Sequence, residues 1–470
     1  MRVLLVGGGA REHAIAVALQ KAAATVIAVA ATRTPGLTHL GSNFVLADPT
    51  SPSTLVQVAK AHRVDYAVIG PEAPLAAGVA DALRGASIPV VGPDRAGAQI
   101  ETSKRFCREL LDRHRVAACP RFQVVRNGDD VRTVLATFPQ PFVVKPASIT
   151  SGKGVWVQGA DFTTVDEAVP YLEQVVAQDP DASAVLEEKL EGEEFSLMAF
   201  VTDSGIYPMP LVQDYKRALE HDKGRNTGGM GGYSQRDHLL PFLSRDARDQ
   251  ALDVLHQAVD ALRAEGITYR GVLYGGFMQT AQGPRLLEFN ARFGDPEGIN
   301  VLTLYEDGDF DELLHGVAVG RVDPNLVRFR LRATVVKYLV PPGYGSTPKG
   351  GVEVTLDVPA IEETGVSVRY GPVEGVGPGR VRFSSSRGVA LVGEASAIWE
   401  AGARVETALA HVTGEYYLRH DIGSKTDLEA RLEHMRKVLS PSAKPSPLPL
   451  SVASPDAPPS SAAPPSMLLS

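Results

Sequence analysis

The run Leu286-Leu287-Glu288-Phe289-Asn290 has residue types and spacing suited to chemistry. In an extended strand, period-two alternation sets Glu288 and Asn290 on one face and Leu287 and Phe289 on the other. Two neighbouring oxygen ligands suit magnesium, which keeps several waters and completes its shell with nucleotide phosphates. Arg292 follows and can hold a phosphate or carboxylate through paired N–H groups. Asp295 and Glu297 add acceptors in the next turn. A bare Glu-x-Asn also occurs where any polar strand ends, so the rest of the chain has to decide.

Four other segments bear on that decision. Lys145 ends the apolar run 142–145, and Gly152-Lys153-Gly154 forms a turn whose amides and ammonium can cradle phosphates. It is not a Walker A loop, which needs Gly at 147 and Ser or Thr at 154 where this chain has Ala147 and Gly154. By itself it reads equally as a hairpin. Residues 185–194 (VLEEKLEGEE) read either as a solvated acidic turn or as a connection where adenine meets backbone and a carboxylate meets ribose. Residues 213–217 (QDYKR) and 226–232 (NTGGMGG) bound a long loop whose glycines let backbone approach a ligand, with Lys216, Arg217 and Arg225 making it basic. The turn Gly7-Gly8-Gly9 opens a helix and favours a phosphate, but Glu12 stands where a dinucleotide fingerprint needs its third glycine. His13 there reads more readily as a helix-start polar residue than as a base. Glu72, in GPEAPL, ends a later strand of the same sheet and faces the same crevice.

Positioning these groups calls for several sheets. Apolar runs at 3–6, 26–30, 66–69 and 89–91 alternate with helical patterns such as 12–21 and 53–62, which implies βαβ units with binding loops at the strand C-termini. The expected organisation is α/β and α+β multidomain. An N-terminal parallel-sheet domain covers 1–101. A second domain covers 102–325, with a small lid lobe inserted at about 121–191. In it a loop at 213–232 is followed by a helix near 245–265 and strands at 272–279 and 285–290. A small strand-rich domain covers 326–435, and a Pro/Ser/Ala-rich tail, expected to be disordered, covers 436–470.

Composition narrows the class. The 470 residues carry a formal net charge of -8, from 47 basic and 55 acidic side chains, which disfavours nucleic acid as a partner. Two cysteines, Cys107 and Cys119, exclude a disulfide framework or a cysteine-rich zinc site. There is no signal-peptide pattern and no apolar stretch long enough to span a bilayer, so no membrane partner and a cytoplasmic location are expected. Nothing in the chain fixes an oligomeric state.

Taken together, the motifs resemble the phosphoribosylamine–glycine ligase (glycinamide ribonucleotide synthetase) family of the ATP-grasp superfamily. The strings are GGGAREHA at 7–14, GPEAPL at 70–75, GPDRAGAQIETSKRF at 92–106, GKGV at 152–155, EEKLEGEEFS at 187–196, QDYKR at 213–217, NTGGMGGY at 226–233, LYGGFM at 273–278 and EFNARFGDPE at 288–297. The resemblance spans residues 1 to about 425 in family order and implies an N-terminal pre-ATP-grasp domain, an ATP-grasp domain and an active ligase. It implies joining of glycine to 5-phosphoribosylamine through a glycyl phosphate in de novo purine biosynthesis, with ATP and magnesium, manganese being an alternative metal. By the same resemblance Glu288 and Asn290 hold the metal, while Lys104, Lys145, Gly152, Lys153 and Gly154 hold the ATP phosphates. Glu187, Glu188 and Leu190 read adenine and Glu194 takes the ribose. Thr227, Gly228, Gly229 and Asp295 surround glycine and the acyl phosphate. Gly8, Gly9, Arg11 and Glu72 hold phosphoribosylamine, and Arg292, Asp214 and Lys216 are the catalytic groups. The chain departs from the family at Ala147-Ser148, where an Asp-Gly pair is usual, and at Ala10 and Arg225. Two other readings are an ATP-grasp ligase for a different amine and a nucleotide-binding module without turnover.

Overall fold

A computed structural model describes residues 1–148 and 154–440. The N-terminal part is a five-stranded parallel sheet ordered Phe44–Leu46, Thr25–Ala30, Arg2–Val6, Tyr66–Ile69, Val90–Val91. The strand Phe44–Leu46 is one more than the apolar pattern predicts, because it is short and half exposed. Chain order reverses at Arg2–Val6, which opens a crevice at the ends of that strand and Tyr66–Ile69. The 7–9 turn and Glu72 follow those two strands.

The central body is an antiparallel sheet ordered Ile206–Pro208, Glu193–Val201, Gly271–Thr280, Gly283–Asn290, backed by the helix Arg245–Ala264. A separate four-stranded antiparallel sheet, Phe122–Arg126, Ser183–Glu188, Phe142–Pro146, Trp156–Val157, has its own apolar cluster around Phe142, Leu135, Leu172 and Leu186. Two sheets hold most of the C-terminal strands. One is Glu374–Gly377, Arg380–Arg382, Glu353–Leu356, Val412–Gly414. The other is Gln213–Asp214, Gly231–Ser234, Ala333–Leu339, Val389–Ala395, Val366–Tyr370, so one sheet runs across the expected division at 325. Gly231 permits this pairing. Its φ is +154°, and a Cβ there would meet the Val336 carbonyl at 2.1 Å.

Two expectations need correction. The segment 213–232 is not a plain loop, because Arg217–Leu219 and Lys223–Asn226 pair as an antiparallel hairpin. Its charged, glycine-broken sequence lacks the alternation that marks a strand. The tail does not begin at 436, because the helix Lys425–Leu439 continues through that point, anchored by buried Leu428, Met435 and Val438. The remainder of the tail lies outside the described residues. No helix among the described residues is long and apolar enough to cross a membrane.

Candidate active site

Three sheets and the hairpin enclose a cavity of about 470 Å³. Ser103 caps the helix Lys104–Arg113, its Oγ accepting from the Phe106 amide. That start sets Lys104 and Arg108 one turn apart on a single face, and both line the cavity. Lys145, Glu187, Glu188, Leu190, Glu194, Asp214, Lys216, Thr227, Gly228, Glu288, Asn290, Arg292, Asp295 and Glu72 line it as well.

The strand carrying Glu288 departs from simple alternation. Gly276 pairs with Glu288 but Phe277 pairs with Leu286, so Leu287 is the extra residue of a β-bulge. Leu286 and Phe289 are therefore the buried pair, and Leu287 turns to the cavity beside Glu288. The Leu287 carbonyl accepts from Arg108 Nη2 (2.7 Å) and Lys145 Nζ (3.2 Å). Those cations also hold Glu187: Arg108 pairs with both its oxygens at 2.8 and 3.0 Å, and Lys145 adds a bond at 2.7 Å. Burial alone would raise the Glu187 carboxyl, but the two cations pull it below its ordinary range. Glu188 accepts from the Arg121 amide and from Arg285. Both carboxylates are thus engaged within the protein, and the expected adenine contact is one of the connecting backbone, not of these side chains.

Lys216 bridges two half-exposed carboxylates, Glu194 at 3.0 Å and Glu288 at 3.6 Å. Burial would raise Glu288, yet Lys216, Lys145 and Lys104 draw it down to about 2. Glu288 is therefore ionised throughout the physiological range, and a cation already sits between the two carboxylates. Arg292 pairs with Glu101 (2.9 Å) and Glu72 (3.5 Å) and donates to Asn290 Oδ1 (3.1 Å). Asp214 is different. Burial, then the charge of Glu297, raises its carboxyl well above the usual range, and its Oδ1 is sealed without a partner. Glu297 is itself raised by burial and accepts from the Tyr274 hydroxyl at 2.9 Å.

Gly229 has a φ of +102°, and a Cβ there would lie 2.7 Å from both Asp214 Oδ1 and Pro296 Cδ. Its amide donates to Thr227 Oγ1 at 3.1 Å. Gly229→Ala should cost about 1–3 kcal/mol of local strain, read as a melting temperature lowered by a few degrees together with a loss of turnover. Turnover within twofold of wild type would show that the loop tolerates a side chain.

The phosphoribosylamine group expected at the N-terminus is only partly assembled. The Glu12 carboxylate takes the Gly9 amide (2.6 Å) and packs against Gly7 and Gly70, occupying the helix start that was expected to receive a phosphate. Arg11 is buried, pairing with Glu12 (2.6 Å) and donating to the Phe293 carbonyl (3.0 Å). Gly8, Gly9 and Arg11 do not line the cavity, whereas Glu72 does. His13 is no base. It accepts from the Tyr370 amide, and burial, reinforced by Arg369 and His39, holds it down at about 3.

Gly152 and Lys153 lie outside the described residues. On either side of them, Ser148 donates to Asp179 from its amide (2.9 Å) and hydroxyl (2.8 Å), and the Gly154 carbonyl accepts from Tyr171. The serine that breaks the family pattern thus makes an anchor to the C-cap of the helix Val165–Gln178. Lys104 Nζ donates to the Ser148 carbonyl at 3.1 Å.

Two further groups of the site are not among the expected site residues, although Glu101 lies within the 92–106 string. Glu101 braces Arg292 and accepts from the Ala291 amide at 2.6 Å. Arg387, in an unremarkable Ser-Ser-Ser-Arg-Gly stretch, donates to the Gly228 and Gly229 carbonyls and pairs with Asp295 at 3.0 Å. It stacks over Tyr338, whose hydroxyl also bonds Asp295.

Comparison with known proteins agrees with this geometry. The phosphoribosylglycinamide synthetase N domain profile matches residues 1–101, and the ATP-grasp (A) domain profile of the same enzyme matches 102–298. Phosphoribosylamine–glycine ligase of Pyrococcus abyssi is 40% identical over 438 residues, 93% of this chain and 98% of that protein. The chain belongs to the phosphoribosylamine–glycine ligase family. The family's crystal structure from Thermotoga maritima superposes with a TM-score of 0.74 at 26% identity, covering 90% of this chain and all of that one. A biotin carboxylase complex from Campylobacter jejuni, at 11% identity and a TM-score of 0.68 over 93% and 95% of the two chains, shares the fold alone. Membership in this ATP-grasp family carries the use of ATP with it.

Proposed function

We propose that the cavity joins glycine to 5-phosphoribosylamine, consuming ATP and yielding glycinamide ribonucleotide, ADP and phosphate. The observation that supports this most is convergence. One strand end brings Glu288, Asn290 and Arg292 together with the 227–229 loop and two phosphate-reach lysines, Lys104 and Lys145. A divalent cation fits the donor set, because Glu288 and Asn290 offer oxygens and Lys216 already marks a place for positive charge between Glu288 and Glu194. Glu288 and Asn290 would hold such an ion, and it would neutralise charge on the nucleotide phosphates.

The chain's own groups do the rest. Lys104, Lys145 and Arg292 position the nucleotide and the glycine carboxylate and supply positive charge to the transferring phosphoryl group, with the 227–229 loop beside them. A carboxylate oxygen of glycine bonds to the γ-phosphorus as ADP leaves. The amine of phosphoribosylamine then bonds to the acyl carbon, the C–O bond to phosphate breaks, and the amine loses one proton. Asp214, which lines the cavity and whose carboxyl is raised by burial, is the group placed to receive it. Glu72 holds the amine substrate beside Arg292. The protein with ATP, magnesium, glycine and phosphoribosylamine should release ADP in step with the amine. ADP release that ignores the amine would overturn this reading.

A further inference from the structure

A second cleft, of about 640 Å³, shares no lining residue with the first. It lies where the helix Ala10–Lys21, the helix Glu297–Leu304 and the strand Val366–Tyr370 meet, so N-terminal, central and C-terminal parts of the chain all wall it. Most of its charges are accounted for: Lys21 pairs with Asp307 at 3.1 Å and Arg330 with Glu394 at 2.9 Å. Arg369 is not. Among the described residues no carboxylate lies within ion-pair distance of it, and its one hydrogen bond runs from Nη1 to the carbonyl of its own neighbour, Val368, at 2.9 Å. Its Nε is sealed from water with no partner. Glu362, exposed on the rim, attracts it across the cleft without pairing, and burial pushes the guanidinium down to about 10.

The Arg369 guanidinium is half-buried, with no counter-ion among the described residues and one sealed N–H that has no acceptor, and an anion in the cleft supplies both. The neighbours favour an anion. His13 accepts from the Tyr370 amide through Nδ1 (2.9 Å), so in its neutral ring Nε2 carries the hydrogen as a donor. The ring is held against Tyr370 at 5.7 Å, and His39 lies close enough to act on it electrostatically.

We propose that this cleft binds a phosphate group, free or carried on a nucleotide, with Arg369 as its principal ligand. The planar fork matches phosphate oxygens in pairs. Bound there, the anion ties three parts of the chain together and stabilises their packing by mass action. This inference does not rest on the ligase reading, because none of these residues belongs to that cavity.

Equilibrium dialysis of the full chain against labelled inorganic phosphate, and separately against labelled AMP, tests it. Arg369→Gln should lose one binding equivalent per chain relative to wild type, its affinity there falling about tenfold or more, while Arg369→Lys keeps part of it. Loss with inorganic phosphate identifies the free ion as sufficient, and loss with AMP only identifies a nucleotide. Equal binding by wild type and Arg369→Gln with both probes overturns the proposal. If Arg369→Gln does not fold, tungstate soaked into wild-type crystals decides: anomalous density within hydrogen-bond reach of Arg369 supports the site, and its absence there overturns it.

Discussion

Glu288→Ala is expected to remove metal-dependent turnover, by roughly a thousandfold or more, and to leave the fold standing. The side chain is half exposed to the cavity, and its partner Lys216 keeps the closer contact with Glu194, so the loss in stability stays within what surface ion pairs contribute, under about 1 kcal/mol. Turnover depends on it far more heavily, because Asn290 alone cannot hold a divalent ion against its hydration. Steady-state rates over a magnesium titration, beside a melting curve, separate the two effects. A variant that turns over like wild type at saturating magnesium would remove Glu288 from the metal site. Because Lys216, Lys145 and Lys104 hold Glu288 down at about 2, its loss of charge cannot account for any fall in wild-type activity between pH 5 and 8.

Arg108→Met should be the most destabilising single change near the cavity, by about 3 kcal/mol. It leaves the buried Glu187 carboxylate with Lys145 alone and frees the Leu287 carbonyl from its shorter bond. The double variant Arg108→Met with Glu187→Gln should recover part of that loss, since the stranded charge is gone. In wild type the Glu187 carboxyl is depressed, so its contribution is complete above the ordinary carboxylate range and fades as pH falls through the depressed value. With Arg108 removed, burial raises the same carboxyl. The deficit is then full at neutral pH and shrinks on acidification, as protonation relieves the buried charge. Melting temperatures of the three proteins from pH 4 to 8 check this, and an Arg108→Met protein that melts with wild type would show that the pair is dispensable.

The residues that make the site were legible to different degrees, for physical reasons. Glu288, Asn290 and Arg292 stand out because a strand and the turn after it put them within a few positions of one another. The bulge at Leu287 does not, because it arises from the register with the preceding strand Gly271–Thr280, where Gly276 faces Glu288 and Phe277 faces Leu286, and local alternation does not encode that register. The parallel N-terminal sheet could be read from its continuous apolar runs, except at Phe44–Leu46, whose exposure removes that signal. Glu187 and Glu188 sit where the motif puts them, but their carboxylates are held by Arg108, Arg121 and Arg285, which come from distant segments. Arg387 was invisible for the same reason. Its importance lies in three carbonyls and one carboxylate belonging to other parts of the chain. Glycines 7 to 9 mislead in the opposite direction: the turn is real, but a side chain three residues on fills the place a ligand would take.

The strand Gly231–Ser234 finds its partner in Ala333–Leu339, which the ribosome delivers roughly a hundred residues later. Domains ordinarily fold as units while the chain emerges, N-terminal first. Here the glycine loop ahead of Gly231 stays unanchored on one side until that later strand is made. The last edge this loop leans on is therefore among the later parts of the chain to be made.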